Sequence, residues 1–377
     1  MRTRRTLLRL AALGLPAGLH HATRADEPDV VTPRALVFPR DHGAHLRFGI
    51  EWWYATGWLQ DAAASGNSAP AYGFQLTFFR SRTGLAATLD SRFAARQLLL
   101  AHAALTDLSA RRLRHAERVA RWNEDAAALP AAASVADTRA HIGDWQLVRD
   151  ASAPVTKPAR YLARVADRAA GFGLTLTLAT TQPLLLQGDA GFSRKGPSSA
   201  HASHYYSQPQ LDVAGSLWLD GRTRAVRGQA WLDHEWSQAP LPTGAVGWDW
   251  IGINLGDGAA LTAFRLRDAQ GRALWAGGSH RAPGGALRSF DAASVRFEPL
   301  AWWSSAATRA RYPVRWRVTT PAGEFELRAL QDDQELDARA STGTVYWEGL
   351  SELRDAQGAR RGLGYLEMTG YAAPLRL

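Results

Sequence analysis

A chain of 377 residues, 46% hydrophobic and 21% charged, has the composition of a globular protein with room for two domains or one large β-domain. Its formal charge of +9 does not mark a nucleic-acid binder: Arg2, Arg4, Arg5, Arg9 and Arg24 crowd the first 25 residues, and the +4 left on the rest is scattered among acids. The absence of cysteine excludes disulfides, thiolate catalysis and zinc–cysteine sites.

The chain opens on Thr3-Arg4-Arg5-Thr6-Leu7-Leu8-Arg9, a twin-arginine pattern, followed by a short apolar run from Leu10 to Leu19. This reads as a removable export signal over residues 1–25, with the mature protein in the periplasm or secreted. The run is too short for a bilayer anchor, and no later stretch is apolar enough for an integral span. Residues 26–40 read as an extended arm.

Alternation dominates from there on. Phe172, Leu174, Leu176 and Leu178 share one strand face, with Gly173, Thr175, Thr177 and Ala179 on the other. Tyr72 to Arg80 and Leu211 to Leu219 alternate less cleanly. Asp220-Gly221 is a type I′ hairpin signal, because both central positions need positive φ. Gly256-Asp257-Gly258 does similar work after Trp248–Leu255. Later strand candidates are Val314–Val318, Glu324–Leu330, Thr344–Leu350 and Leu363–Gly370. One segment, Ala110 to Asp125, is rich in Arg, Ala and Glu and is predicted helical. Thr180 to Tyr206 reads as a long, Gly- and Pro-punctuated connection, a length often tied to function. Many short strands with hairpin turns predict a mainly β fold, a sandwich or a barrel, and closing the sheets into antiparallel barrels removes exposed edges. A break near Pro240-Leu241-Pro242 divides the chain into barrels at 41–239 and 240–377, each large enough to enclose a small ligand.

Three tracts set acids among large rings: Glu51-Trp52-Trp53-Tyr54, Asp233-His234-Glu235-Trp236 and Gly247-Trp248-Asp249-Trp250. A carboxylate among indoles costs desolvation energy unless it is paired or hydrogen-bonded. On strands, Asp233 and Glu235 share one face and His234 and Trp236 the other; Trp248 and Trp250 share a face with Asp249 opposite. Two readings stay open at each tract: a paired acid within core packing, or a cavity in which Glu51, Asp233, His234, Glu235 and Asp249 are candidate acid–base groups. The histidine, beside two carboxylates, is a candidate proton shuttle with a raised pKa. Trp53, Tyr54, Trp236, Trp248 and Trp250 are candidate ligand-binding rings, able to stack on a ligand or stabilise a cation. His42…His45 and His201…His204 have spacings a metal can use but no accompanying carboxylate set, and no metal site is expected. Nor is a cofactor, since there is no phosphate loop or dinucleotide fingerprint. A serine-hydrolase elbow is also missing.

These tracts, together with Asp41-His42-Gly43-Ala44-His45, Gly188-Asp189-Ala190-Gly191-Phe192-Ser193 and Tyr205-Tyr206-Ser207, resemble the AttH/CrtC group, also called the carotenoid 1,2-hydratase-like or predicted secreted hydrolase family. The resemblance implies two tandem lipocalin-like (calycin) barrels and an apolar, lipid- or isoprenoid-like ligand, with Tyr206 among the matching ring residues. In the hydratase branch water adds across an isolated double bond: an acid protonates carbon, and a tertiary carbocation forms before water attacks. The histidine and tryptophan of that tract carry over to His234 and Trp236. The branch's downstream tyrosine and aspartate have no clear counterpart in Leu261-Thr262-Ala263-Phe264-Arg265-Leu266-Arg267, which favours the AttH-like branch, whose members often accompany an ABC export system. The function expected is thus an exported protein binding an apolar ligand, with hydratase or hydrolase activity. The alternatives are a carotenoid 1,2-hydratase-type enzyme and a non-catalytic accessory of an ABC transporter.

Overall fold

The computed structural model describes residues 30–64, 69–85, 91, 93–125, 130–150, 158–239 and 241–375. The expected leader, the first four residues of the arm, and Pro240 fall outside them. Residues 30–39 of the arm carry no regular structure and lead into one 3-10 turn, Arg40–His42. Among the described residues, all else that is regular is strand. The first sheet holds β1 (Ile50–Asp61), β2 (Tyr72–Arg82), β3 (Gln97–Asp107), β4 (Arg112–Trp122), β5 (Ala131–Ala133), β6 (Arg139–Ile142), β7 (Trp145–Asp150), β8 (Arg160–Asp167), β9 (Phe172–Ala179), β10 (Leu185–Leu186), β11 (Phe192–Arg194), β12 (Ala202–Leu219) and β13 (Arg222–Ser237). The second holds β14 (Gly247–Leu255), β15 (Ala260–Arg267), β16 (Ala273–Arg281), β17 (Leu287–Phe290), β18 (Arg296–Ser304), β19 (Arg311–Thr320), β20 (Gly323–Ala329), β21 (Glu335–Ala338), β22 (Thr344–Arg354) and β23 (Arg360–Met368).

The first sheet runs β4-β3-β2-β1-β13-β12-β9-β8-β7-β6-β5 and curls into a nearly closed barrel. Arginines on the β4 edge span the seam: the Arg118 guanidinium donates to the Ile142 carbonyl (3.1 Å) and lies over the Trp145 ring, and Arg114 pairs with Asp220. The second sheet runs β17-β16-β15-β14-β23-β22-β20-β19-β18 around its own core. The architecture is mainly β, two tandem lipocalin-like barrels. Among the described residues no helix is long and apolar enough to cross a membrane.

The helix expected at Ala110–Asp125 is instead edge strand β4, paired with β3 from Asp107↔Arg112 to Gln97↔Trp122. Its Arg, Ala and Glu content suits a helix in isolation, but pairing with a buried neighbour overrides propensity. Ala116, Ala120 and Trp122 alternate inward onto the core. The expected connection Thr180–Tyr206 contains two short strands and the start of β12. The Asp220-Gly221 hairpin is present, with φ of 49° and 81° at its two central residues.

Strand parity decides which barrel face each functional residue joins. On β1, Trp53, Ala55 and Leu59 point into the first barrel, whereas Trp52 and Tyr54 point toward the second. On β14, Ile251 and Ile253 point into the second barrel, whereas Trp250 points toward the first. Both faces of these strands are therefore covered, which explains aromatics at consecutive positions. The barrels are pinned together by polar clasps. A bulge on β12 between Gln208 and Leu211 turns Gln210 outward, with φ of 53°. Its amide nitrogen then donates to the carbonyls of Leu255 (3.0 Å) and Ala259 (2.7 Å). Asn254 returns a bond to the Ala230 carbonyl at 3.0 Å.

Candidate functional site

Between the two barrels lies a cleft of about 960 Å³, its open mouth included. Its floor on the first sheet is cut from adjacent strands in register: Trp52 opposite Glu235, and Tyr54 opposite Asp233. Its roof on the second sheet is the row Phe264–Trp250–Glu367–Glu348. Trp248 completes the wall.

The Asp233 carboxylate is buried under this roof. It accepts from the Tyr205 hydroxyl (2.7 Å) and from the Trp231 indole N–H (2.6 Å), and the Trp250 indole donates in turn to Tyr205 (3.2 Å). Burial pushes its pKa up to about 7 against the pull of those hydrogen bonds. Glu235 is held differently. Ser203 donates to it at 2.5 Å and the Lys195 ammonium sits 2.9 Å away, over the rings of Tyr205 and Phe264. Burial and the facing Glu367 raise Glu348 well above the usual carboxylate range, and burial raises Glu367 to about 8. The cleft thus offers neutral carboxylic acids among indole faces at neutral pH.

Behind β13, on its inner face, is a second cluster. Glu51 is fully buried and accepts four hydrogen bonds: from His234 Nε2 (2.8 Å), His45 Nδ1 (2.7 Å), the His45 backbone N–H (2.9 Å) and Arg80 Nε (2.8 Å). His45 and Arg80, with the two imidazole hydrogen bonds, hold Glu51 ionised against its burial, well below its ordinary pKa. His45 stacks on Trp236 at 3.7 Å, and His234 stacks on Trp53 at 4.8 Å. The Tyr206 hydroxyl bridges His234 (3.2 Å) and His42 (2.7 Å). The Asp41–His45 loop can lie this close only because Gly43 has no side chain: a Cβ there would strike the Val135 backbone. Ligand atoms of His45, Glu51 and His234 lie within 4.8 Å of one another, a spacing a cation can bridge, though Glu51 already accepts from both imidazoles.

The structure therefore divides the candidates from the sequence. Tyr54, Asp233, Glu235, Trp248 and Trp250 meet in the cleft. Glu51, Trp53, Tyr206, His234 and Trp236 form the inner cluster instead. Asp249 joins neither: it is buried in the second barrel, bound by Arg265 (2.7 Å) and the Tyr371 hydroxyl (2.8 Å). The expectation of a raised pKa at His234 is corrected. Asp233 and Glu235 point away from it, its acid partner is Glu51, and burial lowers it to about 4. Sequence reasoning missed Trp52, Lys195, Tyr205, Glu348 and Glu367 as cleft residues. The same acid-beside-ring pattern was present at Trp347-Glu348 and at Tyr365-Leu366-Glu367.

Fold and site together define a tandem lipocalin-like β protein with an acid-lined cleft between its barrels. The chain belongs to the AttH-like family, whose pattern matches residues 29–371. It is similar to the crystal structure of a protein assigned as AttH from Nitrosomonas europaea, at 44% sequence identity and a TM-score of 0.80, over 91% of this chain and 99% of that one. It is similar in fold to kievitone hydratase from Nectria haematococca, at 14% identity and a TM-score of 0.66, over 93% of this chain and 98% of that one. A structure of CghA with Sch210972 matches at 15% identity and a TM-score of 0.51, over 92% and 96% of the two chains. No curated protein matches the chain.

Proposed function

We propose that the protein takes an apolar, isoprenoid- or lipid-like molecule into the inter-barrel cleft and adds water across an isolated carbon–carbon double bond. The observation that carries this reading is Asp233: a carboxyl that keeps its proton to about pH 7 while facing a cleft walled by Trp52, Trp248 and Trp250. Asp233 gives its proton to one alkene carbon, leaving a carbocation on the other. Indole faces stabilise that cation in place of water. Water then bonds to the cationic carbon and returns a proton to the Asp233 carboxylate or to Glu235, so that the sum is alkene plus water giving an alcohol. His234 and Trp236 act from behind as positioning residues, fixing the strand that presents Asp233 and Glu235. The hydratase name of a fold neighbour and the family membership are in keeping with this chemistry. The Arg4-Arg5 leader supports an exported location.

Incubation with terminally unsaturated isoprenoids in ¹⁸O-labelled water tests it. The expected product is an alcohol carrying one labelled oxygen, with a rate that falls as pH rises through about 7. Asp233→Asn is expected to lower the rate by about 10²–10⁴-fold. No labelled product across the panel, or full turnover in Asp233→Asn, removes the proposal.

A further inference from the structure

The cleft holds more polar atoms than proton transfer needs, and three of them are left over. Gln75, Tyr54 and Glu348 all line it and are 1%, 6% and 4% exposed. Yet Gln75 Oε1, the Tyr54 hydroxyl and Glu348 Oε1 stop short of a full hydrogen bond within the protein: Tyr54 and Glu348 approach each other, and Gln75 approaches Tyr346, without closing one. Leaving buried polar atoms unpaired is costly, and native sites that do so are built for something else to pair with.

We infer that Gln75, Tyr54 and Glu348 form a subsite for a hydroxyl group, so that the ligand of this cleft is an apolar alcohol rather than a pure hydrocarbon. The inference rests on the cleft being the apolar-ligand site proposed above. The chemistry of the loose ends selects the group. The Gln75 amide nitrogen is committed to Thr77 Oγ1 at 2.7 Å, so its free atom is the carbonyl oxygen, an acceptor. Glu348 Oε1 is the second loose oxygen. The Tyr54 ring is fixed edge-on against Trp250, with centroids 5.5 Å apart at 84°, which holds its O–H in place as a donor. One hydroxyl supplies both needs: its hydrogen goes to an acceptor oxygen, and its lone pair accepts from Tyr54. A ketone or ether has no hydrogen for Gln75. An ammonium would need an ionised partner, whereas Glu348 stands directly opposite Glu367, and the pair sits in an apolar wall where burial keeps both acids protonated.

A matched pair of probes tests this: farnesol and its methyl ether, titrated into the full chain with tryptophan fluorescence as readout. They share the isoprenoid tail and differ in the hydroxyl hydrogen. Farnesol is expected to bind at least about tenfold more tightly, since a site built to hydrogen-bond a hydroxyl strongly rejects the analogue lacking it. Gln75→Met is expected to bring the two affinities together by weakening farnesol and leaving the ether unchanged, which also reports that the variant is folded. Should Gln75→Met not fold, Tyr54→Phe carries the same test. Equal binding of both probes by the native chain, or a gap that survives the substitution, overturns the hydroxyl subsite and leaves the apolar-ligand reading standing. Binding of neither probe overturns both.

Discussion

Glu51 shows how a single buried charge organises its surroundings. Its carboxylate has no water to solvate it and is held by one guanidinium, two imidazoles and a backbone N–H. Removing one partner of such a set leaves the others buried without a counter-charge. Glu51→Gln is therefore expected to cost about 3–5 kcal/mol of stability at neutral pH, measured by urea unfolding. The pH dependence has a definite sign. Glu51 titrates below its ordinary 4.5 in the folded chain, so its contribution is present above that pH and is lost as the solution is acidified. His234, lowered to about 4, acts in the same direction, because the unfolded chain takes up a proton from about 6.5 downward while the folded chain does not. The gap between native and Glu51→Gln is thus expected to shrink in acid. A gap unchanged from pH 7 to pH 3 would contradict this account of the cluster. That Glu51 is buried was legible from the Trp-Trp-Tyr beside it. Its partners were not, since His45, Arg80 and His234 are brought to it by three separate segments.

At the scale of elements, the strands that carry function were readable wherever both local cues agreed. Phe172 to Leu178 alternates cleanly, and the structure has β9 there with Phe172, Leu174, Leu176 and Leu178 buried. Asp220-Gly221 has the residues that a tight hairpin requires, and it sets the register of β12 on β13. That register matters because a slip of one residue would turn Asp233 and Glu235 into the barrel and His234 into the cleft. Gly221→Val, at φ of 81°, is expected to lower stability by about 1–2 kcal/mol in urea unfolding, whereas Asp220→Asn is expected to be near neutral. Equal tolerance of both changes would show that the turn does not fix the register. The β4 segment misled for the opposite reason. Its arginines and alanines favour a helix locally, and the seam that Arg114 and Arg118 close is not visible in one stretch of sequence.

For the whole molecule, the question is where the two barrels leave room. Each interior holds its own apolar core, with Trp53, Trp122 and Trp145 in the first and Trp316 and Trp347 in the second. The cleft between them exists because outward-facing residues of β1, β2, β13, β14, β15, β22 and β23 meet across it. Two barrels, and the tracts at residues 51–54, 233–236 and 247–250, could be seen in the sequence. Which acids face one another could not, because parity separates neighbours in the chain and packing joins Asp233 to Glu367 from strands more than a hundred residues apart. The most direct measurement is a crystal structure of the protein with a terminally unsaturated isoprenoid alcohol bound. The ligand is expected between the barrels, its double bond against the Asp233 carboxyl and its hydroxyl at Gln75 and Tyr54. A ligand inside either barrel, or on an outer face with the cleft empty, would contradict the account.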